Sequence, residues 1–314
     1  MQHNGMIAIA LLLLVILLAV AGCGSNTGKL DMNNQAFFAV TDATGKQVIV
    51  EKKPERIVVL STSILDLLYA VDGKAVGRPN SKNAILPAGA EKAEEIGYVY
   101  NVNMEKVMGL KPDVVIAVQG MHEKLVPMLE SNHIPVLILK YRTLEDTYNT
   151  LRILAKLSGT QEKGEAVISA MQAKIQSIVQ NFSKDKPRKI VVLHATAKDV
   201  TVELPQTTAG SVAKLLGMMN IAEGEQAINA ENDMTPFSLE KIVQEDPDDI
   251  FVVTMGKIDE IKDHMNQEMA SSPAWSSLRA VKNQRVHYLP QDLFLLNPGI
   301  KMPEAVDYMA KEVR

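Results

Sequence analysis

Two tyrosines stand two residues apart in Gly97-Tyr98-Val99-Tyr100-Asn101, and a phenolate is a hard anionic oxygen donor that ferric iron accepts well. His194, just after the apolar run Lys189 to Leu193, adds an imidazole nitrogen. Arg78 and Arg142 are the basic residues read into loops on the same side, and guanidinium groups converging there would suit an anionic chelate. Each group also has a plain structural role. An aromatic in a loop packs or stacks, and a histidine at a strand end is a satisfied polar residue. His122 and His133, on or near a helix, read as surface groups. Sixteen methionines, among them Met121, Met218 and Met234, fit a core or a soft, adaptable pocket wall.

Catalytic patterns are missing around these donors. There is no Gly-x-Ser-x-Gly elbow, no His-Glu-x-x-His pair, no phosphate-cradling glycine-rich loop and no cysteine nucleophile. The acidic run Glu245-Asp246-Asp248-Asp249 is accounted for by a charged turn before a buried strand. A bare zinc or manganese site would need several histidines converging with Asp or Glu, and no spacing suggests one. The reading is therefore a binder rather than an enzyme, with no resident cofactor.

The elements that must position these residues come in two related sets. Asn103-Met104-Glu105-Lys106-Val107-Met108, ending in Lys111-Pro112-Asp113-Val114-Val115-Ile116, returns without a gap as Ser238-Leu239-Glu240-Lys241-Ile242-Val243, ending in Asp246-Pro247-Asp248-Asp249-Ile250-Phe251. Each copy reads as a polar cap, a short helix, a Pro-Asp turn and a buried strand. Strand-like runs alternate with helices as a parallel sheet requires. Between the copies, Val167, Met171, Ile175, Ile178 and Phe182 recur every three or four residues, predicting a helix of about 30 Å that bridges two units. The expected division is an α/β lobe over 36–160, a linking helix over 161–186 and a second α/β lobe over 187–314.

The amino terminus carries a different signal. An apolar run from Met6 to Ala21 is shorter than the roughly 20 residues of a spanning helix and ends in Val20-Ala21-Gly22-Cys23, a lipobox in outline. The preceding Met1 to Gly5 lacks Lys and Arg. Residues 1–22 are expected to be a lipoprotein signal peptide, Cys23 the lipidated residue, and 23–35 a tether. Cys23 is the only cysteine, so the exported part has no disulfide and its stability must come from burial. With 314 residues, 46% hydrophobic, and a formal charge of −4, the chain is long enough for two cores and too evenly charged for a nucleic-acid surface.

Together these features resemble the helical-backbone class of substrate-binding lipoproteins that serve ABC importers of iron complexes, haem and cobalamin. Pro54-Glu55-Arg56-Ile57-Val58, the two repeat copies, Leu110-Lys111-Pro112-Asp113, and Trp275 with Ala280-Val281-Lys282-Asn283 carry the resemblance. It implies two Rossmann-like lobes with central parallel sheets, joined by a long rigid α-helix, with the ligand in a cleft between them. It implies an ABC permease with ATPase subunits as partner, and docking of Glu105 and Glu240 on permease arginines. It places Tyr98 and Tyr100 at positions where haem-binding members carry an axial ligand, and His194 near a second. Met255 stands where one such binder has histidine, a departure. Haem leads among the expected ligands, with a ferric siderophore or cobalamin as alternatives. Tyr98 and His194 are the expected ligands to haem iron.

Overall fold

A computed structural model describes residues 36–80, 86–182, 187–228 and 233–313. The amino-terminal apolar run, Cys23 and the tether lie outside the described residues. No helix among the described residues is long and apolar enough to cross a membrane.

The first lobe is built on a five-stranded sheet in the order Glu94–Glu95, Ala75–Arg78, Ile57–Val59, Val114–Val118, Val136–Leu139, with every neighbouring pair parallel. Val114–Val118 is buried along its whole length, as expected of a parallel strand covered on both faces. The second lobe departs from a purely parallel sheet. Lys189–Thr196, Asp249–Met255 and Val286–Leu289 run parallel, and Met219–Asn220 pairs in parallel with the first of them. Val200–Glu203 and Met234–Pro236 then add two antiparallel strands at one edge.

The sequence repeat is a structural repeat at the level of individual hydrogen bonds. Asn103 caps its helix by accepting from Lys106 N–H, and Ser238 does the same for Lys241. Val107 and Ile242 are the buried residues of the two helices. Lys111 and Asp246 both turn the chain at positive φ, 45° and 42°. The Asp113 carboxylate accepts from Arg56 N–H at 2.9 Å, and Asp248 from Lys189 N–H at 2.9 Å. In each lobe an aspartate after the Pro turn thus fastens the entry of the neighbouring central strand.

Helix Leu144–Ser158 is closed at one end by a Thr143–Asp146 capping box and at the other by Gly159 at φ 72°. The bridging helix, Gln161–Asn181, follows at once. Gly164 is needed where the two helices touch, because a Cβ there would lie 2.5 Å from Ala155 Cβ. Its buried side chains Ile168, Met171 and Ile175 join an apolar cluster that also contains Val59 and Ile116 of the first sheet and Val192 and Phe251 of the second. The chain end returns to the first lobe. Asn297 Nδ2 donates to Thr143 O at 3.2 Å and to Thr147 Oγ1 at 3.1 Å, and Gly299–Lys301 packs on helix Thr62–Ala70.

Asp66 lies on that helix, and burial pushes its carboxyl up from 3.8 to about 6, with Lys301 pulling the other way. The folded state therefore holds a proton that the unfolded state has already lost across this window, so stability falls as pH rises through it. Asp66→Asn is expected to flatten the urea-midpoint profile between about pH 4 and 6 and to add about 1 kcal/mol at neutral pH, after allowance for partial solvent screening. An unchanged slope would refute this account.

Candidate ligand cleft

A cleft of about 340 Å³ opens between the lobes, within the range of roughly 300–1,000 Å³ common for small-molecule sites. Its first-lobe wall is made where parallel strands end, the usual ligand edge of such sheets. Gln119, Gly120 and Met121 follow Val114–Val118, and Tyr141 and Arg142 follow Val136–Leu139. The second-lobe wall comes from the antiparallel edge, which supplies Glu203 and Met234, with Asp233 beside it. Phe294, Leu295, Leu296 and Asn297 of the returning segment complete it.

The walls are charged and opposite in sign. Arg142 Nη1 lies 3.1 Å from Asp233 Oδ2, an ion pair joining the two lobes. Arg142 is set by its own backbone, whose N–H donates to Asp146 Oδ2 at 3.0 Å. An adjoining depression of about 700 Å³ shares Gln119, Gly120, Met121 and Arg142 with the cleft and adds Lys124, Lys140 and Glu123. Opposite, Glu203 Oε1 lies 3.0 Å from His194 Nδ1. Burial pushes the Tyr141 phenol well above its ordinary range, with the charge of Asp66 adding to it, so Tyr141 stays protonated on the cleft wall.

The profile of the family described as "Periplasmic binding protein" matches residues 57–293. The chain belongs to the periplasmic binding protein family. It is 29% identical over 311 residues to the Fe(3+)-citrate-binding protein YfmC of Bacillus subtilis (strain 168), covering 96% of this chain and 94% of the relative. Among solved structures it resembles an ABC transporter substrate-binding protein from Listeria monocytogenes EGD-e, with a TM-score of 0.75, 23% identity and coverage of 83% and 98%. Staphylococcus aureus IsdE complexed with heme is similar too, with a TM-score of 0.71, 20% identity and coverage of 82% and 98%.

In this binding protein the residues singled out from sequence scatter. Tyr100 and Arg142 line the cleft, and Tyr100 is 77% exposed. Tyr98 is half exposed on the small hairpin Gly97–Tyr98 with Asn101–Val102 and is not on the cleft wall. His194 is buried behind Glu203, and Met255 is exposed at its strand end. Neither is on the wall. The expected pairing of Tyr98 with His194 across a shared iron is therefore not assembled. Arg78 is not in the cleft at all. It is buried inside the first lobe, where Nε donates to Ala90 O at 3.0 Å, Nη1 to Pro79 O at 3.0 Å and Nη2 to Glu95 at 3.2 Å. Its strand lies next to the short edge strand Glu94–Glu95, and Glu95 with the Ala90 and Pro79 carbonyls occupies the guanidinium. Among the described residues, no group of three His, Cys, Asp or Glu comes together as a metal would need.

His122 is likewise no surface group. It is 2% exposed, accepts from Val118 N–H at 3.1 Å through Nδ1, and meets Val99 O at 3.0 Å through Nε2. That pattern requires the neutral tautomer protonated on Nε2. Burial lowers its pKa, against the opposing pull of Val99 O and Glu123. The ring thus ties the Tyr98–Tyr100 loop to the end of a central strand. His122→Ala should cost about 1–3 kcal/mol in urea unfolding, because Val118 N–H is left buried and unpaired. A loss below a few tenths of a kcal/mol would show the tie to be idle.

Proposed function

We propose that this chain is the substrate-binding lipoprotein of an ABC importer, and that it captures a ferric chelate between its lobes for delivery to the membrane permease. The carrying observation is a charged inter-lobe cleft of about 340 Å³ with Arg142, Lys124 and Lys140 on and beside one wall. Near full-length similarity to a ferric-citrate-binding protein supports the same reading. The function is capture and release, with no bond made or broken. Cys23 would hold the protein to the membrane surface, where each buried acyl methylene contributes about 0.8 kcal/mol.

A compact chelate with anionic or carbonyl oxygens fits this cleft better than a flat macrocycle. Haem asks for a large apolar slot and an iron ligand on its wall, and both Tyr98 and His194 are off the wall. Haem remains the second reading, favoured by Tyr100 at the rim and by the haem complex of a structural neighbour. Isothermal titration of the full chain in detergent with ferric dicitrate, a ferric trihydroxamate, haem and cobalamin separates them. Saturable binding of a ferric chelate is expected. A one-to-one Soret shift with haem alone would overturn the preference. Arg142→Ala should weaken an anionic chelate at least tenfold, in line with about 1.5–3 kcal/mol for a charged hydrogen bond, and Arg142→Lys should not restore the forked pairing.

Glu105 and Glu240 are proposed to dock on basic groups of the permease. Both are exposed in the first turn of their helices. Their lysine neighbours are engaged elsewhere, Lys106 with Glu94 at 3.5 Å and Lys241 with Glu225. Neither glutamate has an ion pair among the described residues. The Glu105→Ala, Glu240→Ala double variant should keep its chelate affinity in titration while uptake by the intact importer falls and loses its salt dependence. Normal uptake by the double variant would reject docking through this pair.

A further inference from the structure

One acceptor in the cleft is left unused by the folded protein. Glu203 closes strand Val200–Glu203, lines the cleft and is 3% exposed. Its Oε1 is held 3.0 Å from Nδ1 of His194, which is itself buried. Asn220 Nδ2 donates to the Glu203 backbone carbonyl at 3.1 Å, fixing the residue in place. Its Oε2 is buried and has no hydrogen-bond partner. The guanidinium on the facing wall, Arg142, is paired with Asp233, and among the described residues the Glu203 carboxylate meets only His194.

An unpaired buried acceptor costs about 1–3 kcal/mol, and more when it carries charge. Native structures keep few such groups, and each asks for a cause. Core packing does not require a carboxylate here, since a side chain of similar shape without the second oxygen would avoid the cost. With Oε1 held by His194, Oε2 is the carboxylate oxygen left over for a group entering the cleft that Glu203 lines.

We propose that Glu203, oriented by His194, determines ligand specificity by accepting a hydrogen bond from an O–H or N–H group of the bound chelate. This rests on the ferric-chelate reading above and adds a polarity to it. The ligand's anionic or carbonyl oxygens face Arg142, Lys124 and Lys140, and a hydroxyl, amide N–H or ammonium faces Glu203. A chelate with carboxylates on every side meets like charge at Glu203, whereas one with a donor at that end matches both walls. His194 is a positioning residue that holds Oε1 and leaves Oε2 for the ligand.

The test is isothermal titration of the full chain in detergent with two probes. Ferric dicitrate presents acceptors outward, and ferrioxamine B is a ferric trihydroxamate carrying amide N–H groups and a free ammonium. Glu203→Gln keeps the shape and replaces a carboxylate oxygen by a donor. It is expected to weaken ferrioxamine B at least tenfold and to tighten ferric dicitrate severalfold, reversing or narrowing the preference of the wild type. His194→Asn retains a donor toward Oε1 and should keep the wild-type ratio, while His194→Ala should shift it toward that of Glu203→Gln. Affinities of both probes that move by the same factor in Glu203→Gln, or by less than twofold, overturn the inference alone. Wild type that binds neither probe overturns it together with the ferric-chelate reading.

Discussion

Ile168, Met171 and Ile175 of the bridging helix pack in one apolar cluster with Val59 and Ile116 of the first lobe and Val192 and Phe251 of the second. The cluster continues into Met302, Val306 and Met309 of the last helix, Met302–Glu312. Swinging the lobes wide apart would bring this apolar surface into water at roughly 25 cal/mol per Å². The cleft is therefore the gap left by two lobes set on a common core, and its width follows from side-chain packing. Small adjustments of the walls, such as exchange of partners at Arg142, are the motions such a core permits.

The cleft chemistry follows from a difference between the two sheets. In the five-stranded sheet of the first lobe every strand pairing is parallel, so most of that wall consists of the loops after the strands. In the second lobe, two antiparallel strands at the edge bring Glu203 and Met234 to the wall and place Asp233 at the start of Met234–Pro236. Arg142 stands on the first wall, with Lys124, Lys140 and Glu123 in the depression beside it, and the carboxylates of Glu203 and Asp233 stand on the second. A bound chelate is thus presented with a direction as well as a space.

What the sequence disclosed was mostly local. The repeat could be read because cap, turn and strand entry lie within about a dozen residues, and the structure reproduces them down to Asp113 and Asp248. Local pattern does not place Arg78, because its partner Glu95 lies on a two-residue strand with no periodicity of its own. Glu203 and Asp233 went unnoticed because their importance depends on pairings between Val200–Glu203 and Met234–Pro236, about thirty residues apart. An acid closing the apolar alternation Val200-Thr201-Val202-Glu203 was the signal available. Its position near a helix places His122 on the surface, whereas in the fold its ring replaces a backbone partner for Val118.

The return of residues 297–301 to the first lobe also orders the folding of the chain. Gly299, at φ 60°, fits beside Tyr141 and Ser63 because it lacks a side chain, since a Cβ would collide with the Tyr141 hydroxyl. Helix Thr62–Ala70 is left partly uncovered until residues 297–301 arrive, whereas Thr143 and Thr147 already bond each other and Asn297 adds to that pair. Contacts of such long sequence separation form late and slowly. A first lobe without residues 297–301 is therefore unfinished, and the same contacts that cover helix Thr62–Ala70 also set the stretch of cleft wall to which Asn297 belongs.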